Sequence, residues 1–256
     1  MASSRPTAEC ALCHQVRELH DSHIIPEFFY KPLYDSKGRV FDMSTVETTG
    51  RPFGIEQKGL REYLLCGYCE SKLSRWETVA ATLFRSGQLN VPAGQPLHTL
   101  TGLDYHNLRL FFLSILWRSS VSSLPFFKHV SLGPHEERIR VMLLDEEREP
   151  FWKYGCVLQD IASDSPEERL ALIGPVASKA GSAWNYFYVI DGFLWHYIMA
   201  SHSVDQAANA LMLQSNGSLT ITRGNAEKIP HLNALKDKLH GQGKLAALIE
   251  KYGQDA

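Results

Sequence analysis

Cys10-Ala11-Leu12-Cys13 and Cys66-Gly67-Tyr68-Cys69, with Asp21-Ser22-His23-Ile24-Ile25-Pro26 between them, are the stretches that decide how this chain folds. A C-x-x-C pair sets two thiolates on one tight knuckle, and two knuckles complete the tetrahedral sulfur shell that zinc prefers. The 52 residues between Cys13 and Cys66 exceed the usual spacing of a single finger. An insertion therefore loops out between the knuckles, and it carries His23. The pattern predicts structural zinc at Cys10, Cys13, Cys66 and Cys69. A thioredoxin-like redox pair, the alternative use of C-x-x-C, would follow a strand in a βαβ unit, and no such unit is readable here. His14 and His20 could replace a cysteine as ligands, but four thiolates suffice. The fifth cysteine, Cys156, lies in an apolar stretch and reads as a buried core thiol.

The bulk composition narrows the class. A chain of 256 residues with 44% hydrophobic residues can bury a substantial core in one or two domains. Its formal net charge is -2, and residues 1–76 carry ten Lys/Arg against ten Asp/Glu. No polybasic arm advertises nucleic acid, although a neutral total can hide a basic stripe once the chain folds. Five cysteines in this length do not make a disulfide scaffold. The polar opening, Met1 to Pro6, lacks an apolar signal core, and no stretch offers the roughly 20 apolar residues of a membrane span. The expectation is a soluble cytoplasmic protein with reduced thiols and no membrane partner.

Working outward from the cysteines, residues 8–75 read as the metal module. Phe28 to Tyr34 is dense in aromatics that should pack against it. Asp35 to Gly38 is turn chemistry, Arg39 to Ser44 a weak strand, and 45–59 a loop rich in Gly and Pro. Leu73, Trp76, Val79, Ala80, Leu83 and Phe84 then recur at helical spacing. Gly87 and the run Val91 to Pro96 end that helix and divide the chain into a zinc module with its trailing helix (1–90) and an α+β remainder (91–256). Asp104 should cap a helix that buries Leu108, Phe111, Phe112, Ile115 and Leu116. Pro134 with Glu136 and Glu137 opens another. Segments 152–161, 170–177, 184–191 and 193–200 read as strands, Asp191-Gly192 as a hairpin turn, and Ser218 to Thr222 as a short strand. A last helix is expected over 231–252. The class is α+β, with an antiparallel sheet backed by a helix.

Taken in order, C-x-x-C, then x-His-Ile-Ile-Pro, then Leu-Cys-x-x-Cys leading into a helix resembles the zinc-ribbon-containing HNH nucleases, also called ββα-metal or His-Me finger enzymes. The opening, including Ser22 to Lys31 and Gln57 to Glu62, is also similar to bacterial HNH-like proteins. The resemblance covers about residues 8–76. It implies a β-hairpin clamped to a helix by the ribbon, His23 as the general base, and one catalytic cation, usually magnesium, between hairpin and helix. An imidazole near its pKa takes the proton of water while a hard cation polarises the phosphoryl oxygen. Several positions depart from the pattern. Ser22 stands where the family has an acidic or histidine ligand, with Asp21 one residue earlier. Glu70 stands where the family commonly has His, and a carboxylate there still suits magnesium or manganese. Ser71 replaces a common Asn, and no Asn lies between His23 and Cys66 to orient the base.

Two functions follow from the resemblance. One is a metal-dependent endonuclease acting on nucleic-acid phosphodiesters, most naturally DNA, with His23 as base and Glu70 as a cation ligand. The other is a non-catalytic zinc protein whose degenerate HNH module binds nucleic acid or a protein partner, with His23 a packed histidine. Arg61, Lys72, Arg75, Arg109 and Arg118 are candidates for a phosphate-binding face, set against the plainer reading of solvated helix charges. Trp184, Tyr186, Tyr188, Trp195 and Tyr197 are candidates for base stacking, set against cross-strand core packing. His196 and His202 read as structural. No P-loop, dinucleotide fingerprint or nucleophile elbow is present.

Overall fold

Each cysteine knuckle sits where a strand ends, so the strands fix the metal site. In the computed structural model, residues 5–34, 37, 39–43, 53–147, 150–161, 172–180, 183–200 and 205–225 are described, with 39–43 and 53–57 described through their backbone. Strands β1 (Thr7–Glu9) and β2 (Val16–His23) flank the first knuckle. Two more strands, β3 (Arg39–Met43) and β4 (Phe53–Gln57), precede β5 (Arg61–Cys66), which runs into the second knuckle. β1, β2 and β5 form an antiparallel sheet in the order β1-β2-β5. Leu19 lies opposite Cys66 and His23 opposite Arg61, with a register shift between His20 and Asp21. Such an irregularity re-aims the side chains beyond it. Here Ser22 turns fully inward while Asp21 stays exposed and His23 is half-buried.

Helix α1 (Glu27–Tyr30) follows Pro26 and continues as a 3-10 turn over Lys31–Leu33. The second knuckle opens α2 (Gly67–Arg85), with Cys66 extended at its N-cap, Glu70 in the first turn and Arg85 in the last. That charge order suits the helix dipole. Leu73, Trp76, Ala80, Leu83 and Phe84 are buried along one stripe, as their spacing predicts. Helix α3 (Tyr105–Val121) begins at Asp104, whose carboxylate accepts from the Asn107 amide at 3.1 Å. Every residue from Leu108 to Ser119 is buried, so α3 is a central helix and not merely an amphipathic cover. Helix α4 (Pro134–Asp145) has Pro at its start and acidic residues in its first turn, and ends at a left-handed Glu146.

The second sheet adds β6 (Leu97–Leu100), β7 (Cys156–Asp160), β8 (Ile173–Ala180), β9 (Ala183–Ile190), β10 (Phe193–Met199) and β11 (Leu219–Arg223). Its order is β4-β3-β8-β9-β10-β7-β11-β6. It is antiparallel except where β3 meets β8 and β11 meets β7. A short helix α5 (Gln206–Leu211) precedes β11. Asp191 and Gly192 both have positive φ, as a tight hairpin turn between paired Ile190 and Phe193 demands.

Three expectations change. The stretch 45–59 is not wholly loop, because Phe53–Gln57 pairs as β4 with β3. Its Gly and Pro content hid a strand that backbone pairing supports. The strand foreseen from 152 starts only at Cys156, since Phe151 to Tyr154 turn and Tyr154 adopts a left-handed conformation. β1 and β6 are additional, each too short to show periodicity. The helix foreseen over 231–252 lies outside the described residues.

One buried cluster runs from Cys10 and Leu12 through α2 and α3 to Trp195, Tyr197 and Ile221. At its centre Phe84 stacks on Trp195 at 5.3 Å and meets Phe29 edge-on at 5.1 Å. Phe111 and Phe112 of α3 close on the same indole. Thus α1, α2, α3 and β10 share one aromatic contact. Tyr186, Tyr188, Trp195 and Tyr197 are buried here, which makes them core rather than a stacking platform. Trp184 alone of that set is exposed, with the Lys179 ammonium 5.9 Å from its ring. Among the described residues, no helix is long and apolar enough to cross a membrane.

Candidate functional site

The four thiols of Cys10, Cys13, Cys66 and Cys69 lie within 4.8 Å of one another. The sheet brings them together. The Ala11 amide donates to the Leu64 carbonyl at 3.1 Å, tying the first knuckle to β5. The Cys66 amide donates to the Cys10 sulfur at 3.3 Å. The first knuckle closes through the His14 amide on the Cys10 carbonyl at 2.8 Å, with His14 in the left-handed region. From α4, Arg140 donates to the Leu12 carbonyl. Hydrogen bonding from Cys69, with the knuckle amides, holds Cys10 down to about 4. The same hydrogen bond, with burial, pushes Cys69 far up. Packed thiolates repel one another, and a divalent cation removes that repulsion. The group could therefore hold a metal ion such as zinc. Among the described residues, no other group of three or more His, Cys, Asp and Glu side chains meets so closely.

A cleft of about 370 Å³ opens beside this centre, between β2, β5 and α2. His23 lines it. Its Nε2 lies 3.0 Å from the Lys58 carbonyl. A carbonyl only accepts, so Nε2 carries the proton and Nδ1 keeps its lone pair. Burial lowers the His23 pKa from 6.5, which keeps the ring neutral at pH 7. Thus the Lys58 carbonyl orients the His23 ring.

The carboxylates of the cleft divide into two sets. Asp21 pairs with Arg61 at 3.0 Å, and Glu77 with Arg118 at 2.9 Å. Burial pushes the Glu77 carboxyl up, and the Arg118 charge opposes that rise. Glu27 and Glu70 also line the cleft, and neither pairs with a Lys or Arg among the described residues. Glu70 accepts from the hydroxyl of buried Ser22, whose oxygen also takes the Leu65 amide at 3.2 Å. Glu27 and Glu70 thus share the cleft with a neutral imidazole, without the close three-ligand approach that the cysteines make.

Of the residues singled out in the sequence, the four cysteines form the thiol group, and His23, Asp21 and Glu70 share the cleft. The five-residue phosphate face does not form. Lys72 donates to the Leu144 carbonyl and, with Arg75, pairs with Glu146, fastening α2 to the end of α4. Arg109 is buried and donates to the Phe151 and Lys153 carbonyls. Arg61 and Arg118 do reach the cleft, already paired with acids. His196 bonds to Asn185 at 2.8 Å and is structural, and Cys156 is a buried core thiol. His202 lies outside the described residues.

No family model, curated protein or solved structure matches this chain. The cleft residues therefore rest on their geometry. Glu27, Lys58 and Glu77 escaped the sequence reading, and Arg118 entered it only as a candidate for the phosphate-binding face. Glu70 and Glu77 stand seven residues apart, which aligns them on one helix face and was a readable signal. Nothing local marks Lys58, which acts through its carbonyl.

Proposed function

We propose that this protein is a zinc-clamped, metal-dependent phosphodiesterase of HNH type acting on nucleic acid, with DNA the expected substrate. The observation that carries this reading is the shared cleft: a neutral His23 with its Nδ1 lone pair available, beside uncompensated Glu27 and Glu70. β2, β5 and α2 correspond to the hairpin and helix of the ββα-metal arrangement, and zinc at the four cysteines would hold them together. Magnesium or manganese, when bound at Glu70 and Glu27, would supply charge stabilisation to a phosphoryl oxygen. His23 accepts a proton from water at Nδ1 while the Lys58 carbonyl fixes its tautomer. Arg61, held beside His23 across the β2–β5 ladder, is placed to meet a phosphate once Asp21 shares it.

His23→Ala is expected to lower magnesium- or manganese-dependent cleavage by about 10²- to 10⁴-fold with zinc content unchanged. Undiminished cleavage by this variant sinks the mechanism. The hydrogen bond from Ser22 to Glu70 and the Asp21–Arg61 pair favour a second reading, in which these carboxylates are structural and the module only binds nucleic acid or protein. That reading expects bound zinc and no cleavage of single- or double-stranded DNA or RNA with either cation.

A further inference from the structure

We propose that Arg118, on helix α3 and far outside the cysteine-bounded segment, is the positioning residue of the His23 base. The inference rests on the nuclease reading and adds to it that residues beyond the zinc module complete the site. Arg118 is 2% exposed, yet it reaches the floor of the cleft. One terminal nitrogen donates both to the His23 carbonyl at 2.7 Å and to Glu77 at 2.9 Å. The other donates to the Ser114 hydroxyl at 3.3 Å, and Nε to the Ser114 carbonyl at 3.2 Å. The guanidinium is thus held by its own helix at one end and grips the main chain of the base at the other.

That grip acts where β2 ends. His23 is the last residue of the strand, and the Ile24 amide, donating to the Leu60 carbonyl at 3.1 Å, ties the chain immediately beyond it to the residue that precedes β5. The imidazole contacts the Lys58 carbonyl through Nε2, so a shift of the His23 main chain moves the ring off that carbonyl and frees its tautomer. Glu77 contributes from α2. It supplies the charge that lets a guanidinium be buried here, and it ties α2 and α3 to the base together. A planar fork is needed to make these bonds at once, which an ammonium cannot do.

Arg118→Lys keeps the charge beside Glu77 and loses the fork. The full chain carrying it is expected to retain zinc, to lose about 100-fold in kcat and to keep KM within about twofold on duplex DNA with magnesium. Nitrogen-15 spectra of the imidazoles should show the single Nε2–H tautomer of His23 becoming mixed. Ser114→Ala, a smaller change, should move kcat and tautomer the same way by a lesser amount, and it decides the matter if the lysine variant does not fold. A rise in KM at unchanged kcat makes Arg118 a phosphate contact and overturns the proposal, as does an unaltered His23 tautomer in both variants. If the parent protein cleaves nothing, the nuclease reading fails, while the tautomer comparison still settles whether Arg118 positions His23.

Discussion

Ser22 shows how one hydroxyl connects the fold to the site. It is 1% exposed, accepts the Leu65 amide and donates to Glu70. Ser22→Ala leaves that buried amide unpaired and lets the Glu70 carboxylate swing. The expected cost is about 1–3 kcal/mol in denaturant unfolding, together with weaker magnesium dependence of cleavage. A variant as stable as the parent would show that the hydroxyl is dispensable to both. His23 gives a pH prediction with a definite sign. Its folded pKa lies below the ordinary 6.5 because the ring is buried. Between the two values the unfolded chain binds more protons, so stability rises with pH through that window and is lost as the solution is acidified below 6.5. On the nuclease reading, the neutral ring that accepts a proton persists over the same range. Cleavage should hold its plateau below pH 6.5 and fall only in stronger acid, and a descending limb centred above 6.5 rules out His23 as the titrating base. Residue identity alone pointed to His23 and the cysteines, because their chemistry is carried by the side chain. It was silent on Lys58, whose contribution is a carbonyl placed by backbone geometry.

At the level of elements, the turn into β5 is tightly constrained. Lys58 and Gly59 both have positive φ, and a methyl on Gly59 would meet the Tyr30 ring at 2.9 Å. The Tyr30 ring in turn lies 5.9 Å from the His23 ring. Gly59→Ala must either strain the backbone or displace Tyr30, at an expected cost of about 1–3 kcal/mol. Because Lys58 is its neighbour, the same substitution should reduce kcat more than a comparably destabilising change on the far sheet. Equal effects from the two would detach this turn from the site. Helices α2, α3 and α4 were legible because capping residues and apolar spacing are local properties of the chain, as Asp104 and the Leu73 to Phe84 stripe show. The strand at Phe53–Gln57 was not legible, since its hydrogen bonds come from β3 and its own composition reads as a turn. Nor does any local pattern foretell that β3 meets β8, a pairing of segments about 130 residues apart.

Across the whole molecule, the knuckles and the large sheet share one core. The cluster that contains Cys10, Cys66 and Cys69 continues without a break through Trp76, Phe84 and Phe111 to Trp195. The thiol group joins the β1–β2 turn, the end of β5 and the start of α2, so a cation there restrains three elements that also carry His23 and Glu70. Removing it leaves the thiol group joined only by its own hydrogen bonds, with Cys69 taking back its proton and bonding to the Cys10 sulfur. The loss should be several kcal/mol, short of the roughly 10–16 kcal/mol seen for zinc-finger peptides, because this chain also buries an aromatic core independent of the metal. In calorimetry, a strong chelator should lower the midpoint by about 10 °C or more. Unfolding should remain a single transition with and without zinc, since the Phe29, Phe84 and Trp195 contacts couple helices α1 and α2 of the thiol-bearing region to the large sheet. Two separated transitions in the zinc-loaded protein would mean that the shared core does not transmit the clamp. A midpoint unmoved by chelation, with the metal shown to be gone, would mean that the four thiols do not clamp the fold.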